Sequence, residues 1–108
     1  MAEPPGTSAP APDASVDAQL KEFRSRIDRL DEQLVRLLNA RASCADEIGH
    51  LKDQVGMETY QPSREVEVLR HVRAVNPGPL DDGAITRLFE RIIDESRRLE
   101  RLAHDGEA

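Results

Sequence analysis

Apolar side chains recur along the first half of the chain in two rows. Leu20, Ile27, Leu34, Ile48 and Val55 are spaced at multiples of seven, and Phe23, Leu30, Leu37, Cys44 and Leu51 form a second row beside them. This spacing describes a helix with one continuous apolar stripe. Arg41 stands in the first row where another aliphatic residue is expected. Burying an unpaired guanidinium costs several kcal/mol, so an anion, a hydrogen-bond network or water must meet it. The plain alternative is a polar residue that sets the register of a coiled coil.

The same patterning predicts the elements. From Asp17, which suits an N-cap, to Gly56 the only helix-weakening residue is Gly49. A helix of that extent is about 55 Å long, well beyond the roughly 26 Å diameter expected of a 100-residue globule. One chain cannot cover such a stripe, so a partner is expected. Gly56 can end this helix, and Pro62 fits the first turn of a short second one running through Val66, Leu69 and Val72 to about Ala74. After the turn-forming "NPGPLDDG", Ile85, Leu88, Phe89, Ile92 and Ile93 keep helical spacing and continue to Leu99 and Leu102. This predicts a third helix over about Asp81 to Ala103. No alternating run suggests a strand. The expected class is all-α, with long, short and medium helices over residues 17–103.

Composition changes the picture at the ends and in the core. Residues 1–16 hold four of the seven prolines with Ala, Ser and Gly, and such a segment cannot bury enough apolar area to offset its ordering entropy. It is expected to be a disordered tail, and residues 104–108 a short polar one. The chain has 108 residues and three aromatic side chains, Phe23, Tyr60 and Phe89, so its core is aliphatic and small and one domain is the limit. With 21 acidic against 15 basic residues the net charge is −6, which disfavours nucleic acid and anionic membranes. There is neither an apolar run of membrane-spanning length nor a signal-peptide pattern. Cys44 is the only cysteine; its place on an apolar row predicts a small buried residue. A reducing, cytoplasmic setting is expected.

The candidate chemistry lies in polar residues at apolar positions. Arg41 and Lys52 are eleven apart, so on a helix their directions differ by only about 20° and their Cα atoms by about 16 Å along the axis. Two long cations could grip opposite ends of one small dianion lying over Ile48. Lys52 near a helix C-terminus also has an ordinary explanation in the helix dipole. Arg24 is about 25 Å from Arg41 along the same helix, so any site they share must cross a dimer interface. On the third helix, Ser96 continues the stripe of Phe89, Ile92 and Ile93, with Glu100 one turn further on. The bland account makes Ser96 merely tolerated and pairs Glu100 with Arg97 or Arg101. His50, His71, His104 and Cys44 lack metal-ligand spacing, and no phosphate loop or nucleophile motif is present, so neither metal nor cofactor is expected.

Taken together, "RSRIDRLDEQLVRLLNAR", "EIGHLK", "PSREVEVL" and "ITRLFERIIDESRRLE" resemble, in order and separation, the chorismate mutases of the all-helical AroQ class, over about residues 20–102. The resemblance implies an intertwined homodimer with two equivalent sites, each completed by an arginine of the other chain. Arg24 is similar to that cross-subunit arginine and Arg41 to the one binding the second substrate carboxylate. Lys52 matches the lysine that reaches a carboxylate and the ether oxygen of the breaking bond. Arg64 and Glu65 match the pair opening the second helix, where the glutamate takes the substrate hydroxyl, and Ser96 matches a substrate-binding serine. Glu100 departs from the pattern, standing where many members carry a glutamine that donates to the ether oxygen. Gln61 departs too, replacing an acidic residue of some relatives.

The implied activity is the rearrangement of chorismate to prephenate in aromatic amino acid biosynthesis. It is a pericyclic step that needs no nucleophile or cofactor, with Arg41, Lys52 and Glu100 as the catalytic set. Glu100 can donate to the ether oxygen only when protonated, so activity is expected to fall on the alkaline side. Two readings compete: a lyase on the same scaffold that eliminates pyruvate from isochorismate, and a catalytically silent module that docks on a partner enzyme of aromatic biosynthesis.

Overall fold

The computed structural model describes residues 12–105. They form α1 (Pro12–Val55), α2 (Pro62–Ala74) and α3 (Asp82–His104), with no strand among the described residues. The all-α class and the long, short, medium order follow the apolar patterning. The expected tail is corrected at one end: α1 begins at Pro12 rather than Asp17, since proline is accommodated in a first helical turn and nothing in "DASVDAQL" interrupts the helix after it. Asp17 is therefore an interior helical residue and not the N-cap. The rest of the expected tail, residues 1–11, lies outside the described residues, as do residues 106–108.

Each helix end has a local cause. Gly56 takes φ 68°, in the left-handed region that glycine enters without steric cost. Its N–H donates to the Asp53 carbonyl at 3.3 Å, and that of Met57 to the Lys52 carbonyl at 2.9 Å. These are the paired contacts of a Schellman stop. Pro62 opens α2, with the amides of Arg64 and Glu65 donating to the Gln61 carbonyl. The Gln61 side chain takes no part in that cap, which leaves it to other partners. At α3 the Asp81 carboxylate accepts from the Ala84 amide at 2.7 Å, a cap of the kind that stabilises a helix by about 1 kcal/mol. Asn76 ties the preceding turn by donating to the Leu80 carbonyl at 2.7 Å and to Asp82 at 3.0 Å.

The chain divides between Leu38 and Asn39 into two compact units. In the first, both apolar rows of α1 are bare: Leu20, Phe23, Ile27, Leu30, Leu34 and Leu37 are all exposed, Leu37 by 67%. In the second, α2 packs on α3. The residues shielded there are small, namely Ala45, Gly49 and Ala103, together with Ile93. Gly49 explains the closeness of the contact: a Cβ built on it would stand 2.5 Å from the Glu100 carbonyl oxygen and 2.8 Å from Ala103 Cβ. The residue that weakens α1 intrinsically is thus the one that lets α3 approach it. Cys44 corrects the sequence reading, because it is exposed and not buried. The stretch of apolar row that carries it faces a cleft rather than a packed neighbour.

Candidate active site

The second half of α1, the start of α2, the loop between them and the last turns of α3 enclose an open cleft of about 370 Å³. Seven of the eight candidates named from the sequence line it: Arg41, Lys52, Gln61, Arg64, Glu65, Ser96 and Glu100. The eighth, Arg24, is an exposed residue of the first unit and does not line the cleft. Ile48 lines the cleft together with Arg41 and Lys52, as the helical period requires of residues seven and eleven positions apart.

The cations differ in what they hold. Arg41 donates through Nη1 to Ser96 Oγ in a short hydrogen bond. Its partner is a neutral hydroxyl, so the charge is not neutralised. Lys52 donates from Nζ to Glu100 Oε1 at 2.7 Å and to the Thr59 carbonyl at 3.0 Å. An ammonium has three protons, so the two contacts orient it and leave one N–H for a ligand. The Lys52 and Glu100 side chains are only 11% and 16% exposed, which limits solvent screening of their attraction. Arg64 meets Glu67 at 3.4 Å at the surface, where such pairs contribute little.

Two pairings depart from sequence expectation. Glu100 pairs with Lys52 and not with Arg97 or Arg101, because the Gly49 approach brings the last turns of α1 and α3 together. Arg97 instead crosses to α2 and donates from Nε and Nη2 to Glu65 Oε2 at 3.0 and 2.6 Å. Hydrogen bonding to Glu65 raises the Arg97 pKa further, and burial opposes this. The guanidinium also lies 4.9 Å from the centroid of the Tyr60 ring, within cation–π range. Sequence reasoning missed Arg97 as a residue lining the cleft and Tyr60 as the ring that supports it. It also missed the Thr59 carbonyl, a backbone group that no residue type announces. The one available signal for Arg97 was its position next to Ser96, on the edge of the inward stripe of α3.

Balancing these pairs leaves the cleft cationic. Lys52 and Arg97 are matched by Glu100 and Glu65, while Arg41 has a neutral partner and Arg64 only a long contact at the surface. In a chain of net charge −6, a local excess of cations around the apolar patch of Cys44, Ala45 and Ile48 selects a small anion with an apolar body.

Comparison with known proteins identifies the family. The sequence profile of the family described as chorismate mutase type II matches residues 23–101. The bifunctional chorismate mutase/prephenate dehydratase of Pseudomonas aeruginosa is 42% identical over 87 residues, covering 76% of this chain and 24% of its own length. The chorismate mutase of Methanocaldococcus jannaschii is 25% identical over 84 residues, covering 77% of this chain and 85% of its own. Among solved structures, chorismate mutase (form II) of Thermus thermophilus superposes with a TM-score of 0.74 at 38% identity, over 76% of this chain and 93% of that one. The chain spans about a quarter of the length of the bifunctional relatives it matches. It belongs to the chorismate mutase type II family.

Proposed function

We propose that this chain converts chorismate to prephenate. The observation that carries the reading is the cleft in which Arg41 and Lys52 flank Ile48, with Arg41 held by a hydroxyl and, among the described residues, by no carboxylate. Chorismate is a dianion with an apolar ring, and it needs two cations set apart across an apolar floor. Arg41 takes one carboxylate. The third proton of Lys52 reaches the ether oxygen, on which negative charge grows as the carbon–oxygen bond lengthens. A donor fixed there beforehand stabilises the transition state more than the ground state. Glu65 and Gln61 offer acceptors to the ring hydroxyl, and Arg64 and Ser96 complete the cradle. Orientation of the flexible enolpyruvyl arm supplies a further share of the rate.

The second carboxylate falls to Arg24 of another copy. The exposed apolar rows of α1 between Leu20 and Leu37 are the surface a homodimer would cover, and leaving so many contiguous apolar side chains in water is costly. Prephenate then passes to an enzyme that consumes it, a reading supported by relatives named for both mutase and prephenate dehydratase activities. No helix among the described residues is long and apolar enough to cross a membrane. The test is direct: the purified chain is incubated with chorismate and followed for prephenate. Chorismate left unconsumed, or pyruvate released without prephenate, would reject the proposal.

A further inference from the structure

Arg97 takes no part in the dianion clamp, yet it is tied to two other elements at once. Both of its contacts to Glu65 fall on one oxygen, Oε2, at 3.0 and 2.6 Å, and its guanidinium rests against the Tyr60 ring. Glu65 comes from α2, Arg97 from α3 and Tyr60 from the loop after α1. We infer that Arg97, steadied by Tyr60, is a positioning residue that aims Glu65 at the hydroxyl of the bound substrate. The inference rests on the mutase reading of the cleft, in which Glu65 accepts from that hydroxyl.

Three physical reasons support it. A glutamate near the N-terminus of a helix has three side-chain torsions to fix, and two donors converging on Oε2 anchor that oxygen and so restrict where Oε1 can lie. Because both donors use Oε2, Oε1 is the acceptor available to a ligand. The second reason is charge: an unmatched Glu65 would repel a dianion in the same cleft, and Arg97 offsets that repulsion without leaving its carboxylate. The third is the planar guanidinium, which can present Nε and Nη2 to one carboxylate while lying against an aromatic ring, whereas a lysine ammonium cannot match that geometry. Glu65 and Arg97 side chains are 26% and 31% exposed, so the pair is sheltered but not sealed.

The test is a double-mutant cycle. Arg97→Met removes the donors and keeps the apolar stem, and Glu65→Gln removes the charge on the acceptor. Misplacing a binding group by about an ångström can cost on the order of a hundredfold, so Arg97→Met is expected to lower kcat/KM by roughly ten- to a hundredfold. Most of the loss should appear in KM, since the hydroxyl contact is made in ground and transition states alike. In the Glu65→Gln background the same substitution should add less than about threefold, because Arg97 acts through Glu65. Losses that multiply, or an unchanged KM in Arg97→Met, overturn the inference. If Arg97→Met does not fold, Tyr60→Leu replaces it in the cycle, with a smaller loss in the same direction. If the unmodified chain consumes no chorismate, the mutase reading falls on its own. The four chains are then compared by calorimetric titration with chorismate, where the positioning role requires the same non-additive loss of affinity.

Discussion

Lys52 Nζ stands 2.7 Å from Glu100 Oε1, joining the last turn of α1 to α3 across 48 residues of sequence. Each group sets the state in which the other can serve. As a carboxylate, Glu100 accepts from Lys52 and orients it; only with a proton can Glu100 itself donate to an ether oxygen.

The Glu100→Gln variant separates these roles. An amide can donate to the ether oxygen whereas a carboxylate can only accept, so the variant is expected to keep or raise kcat for chorismate in a single buffer. A fall of tenfold or more in a folded variant would show that the carboxylate's hold on Lys52 outweighs donation from position 100.

Gly49→Ala sets two effects against each other. Alanine raises helix propensity by about 1 kcal/mol over glycine, yet its Cβ would meet the Glu100 carbonyl oxygen at 2.5 Å and Glu100 Cα at 2.8 Å. Backbone atoms cannot rotate away, and overpacking of this kind costs about 1–3 kcal/mol. The clash should win, lowering the urea midpoint and separating Lys52 from Glu100, with a fall in kcat. A more stable variant would mean that the two helices are not held in this contact.

For Arg41, Arg41→Met keeps the stem over the apolar floor and removes the charge. A hydrogen bond to a charged group is worth about 1.5–3 kcal/mol, so kcat/KM should fall by roughly ten- to a hundredfold or more with circular dichroism and thermal unfolding little changed. Wild-type kinetics in the folded variant would return Arg41 to the role of a register-setting polar residue.

Arg24 is tested through the proposed homodimer. Chains carrying Arg24→Ala and Arg41→Ala are each expected to be nearly inactive. Mixed and allowed to exchange, they should regain activity in heterodimers, because one of the two sites then holds both arginines. Proven exchange with no recovered activity would place Arg24 outside the site.

Much of this protein is settled by short-range periodicity. The helix period alone places Arg41, Ile48 and Lys52 on one face and predicts α2 from Pro62 to about Ala74. Such relations hold because residues a fixed number apart on a helix point in fixed relative directions, whatever the rest of the chain does. The start of α1 was less legible, since an alanine- and proline-rich composition argues against order while a proline in a first turn is no obstacle to a helix.

Which polar groups meet across elements depends instead on the packed fold. Arg97 had an acidic neighbour one turn away in Glu100 and took Glu65, 32 residues distant. Lys52 found Glu100 and the Thr59 carbonyl, and Arg41 found Ser96. Cys44 turned out exposed because its row faces the cleft. The contacts of Arg41 and Lys52 with α3 depend on how closely α1 and α3 approach, and that distance is set by the missing side chain of Gly49. A pattern of apolar and polar letters specifies which faces are buried, but the depth at which two faces meet is a property of their packed backbones.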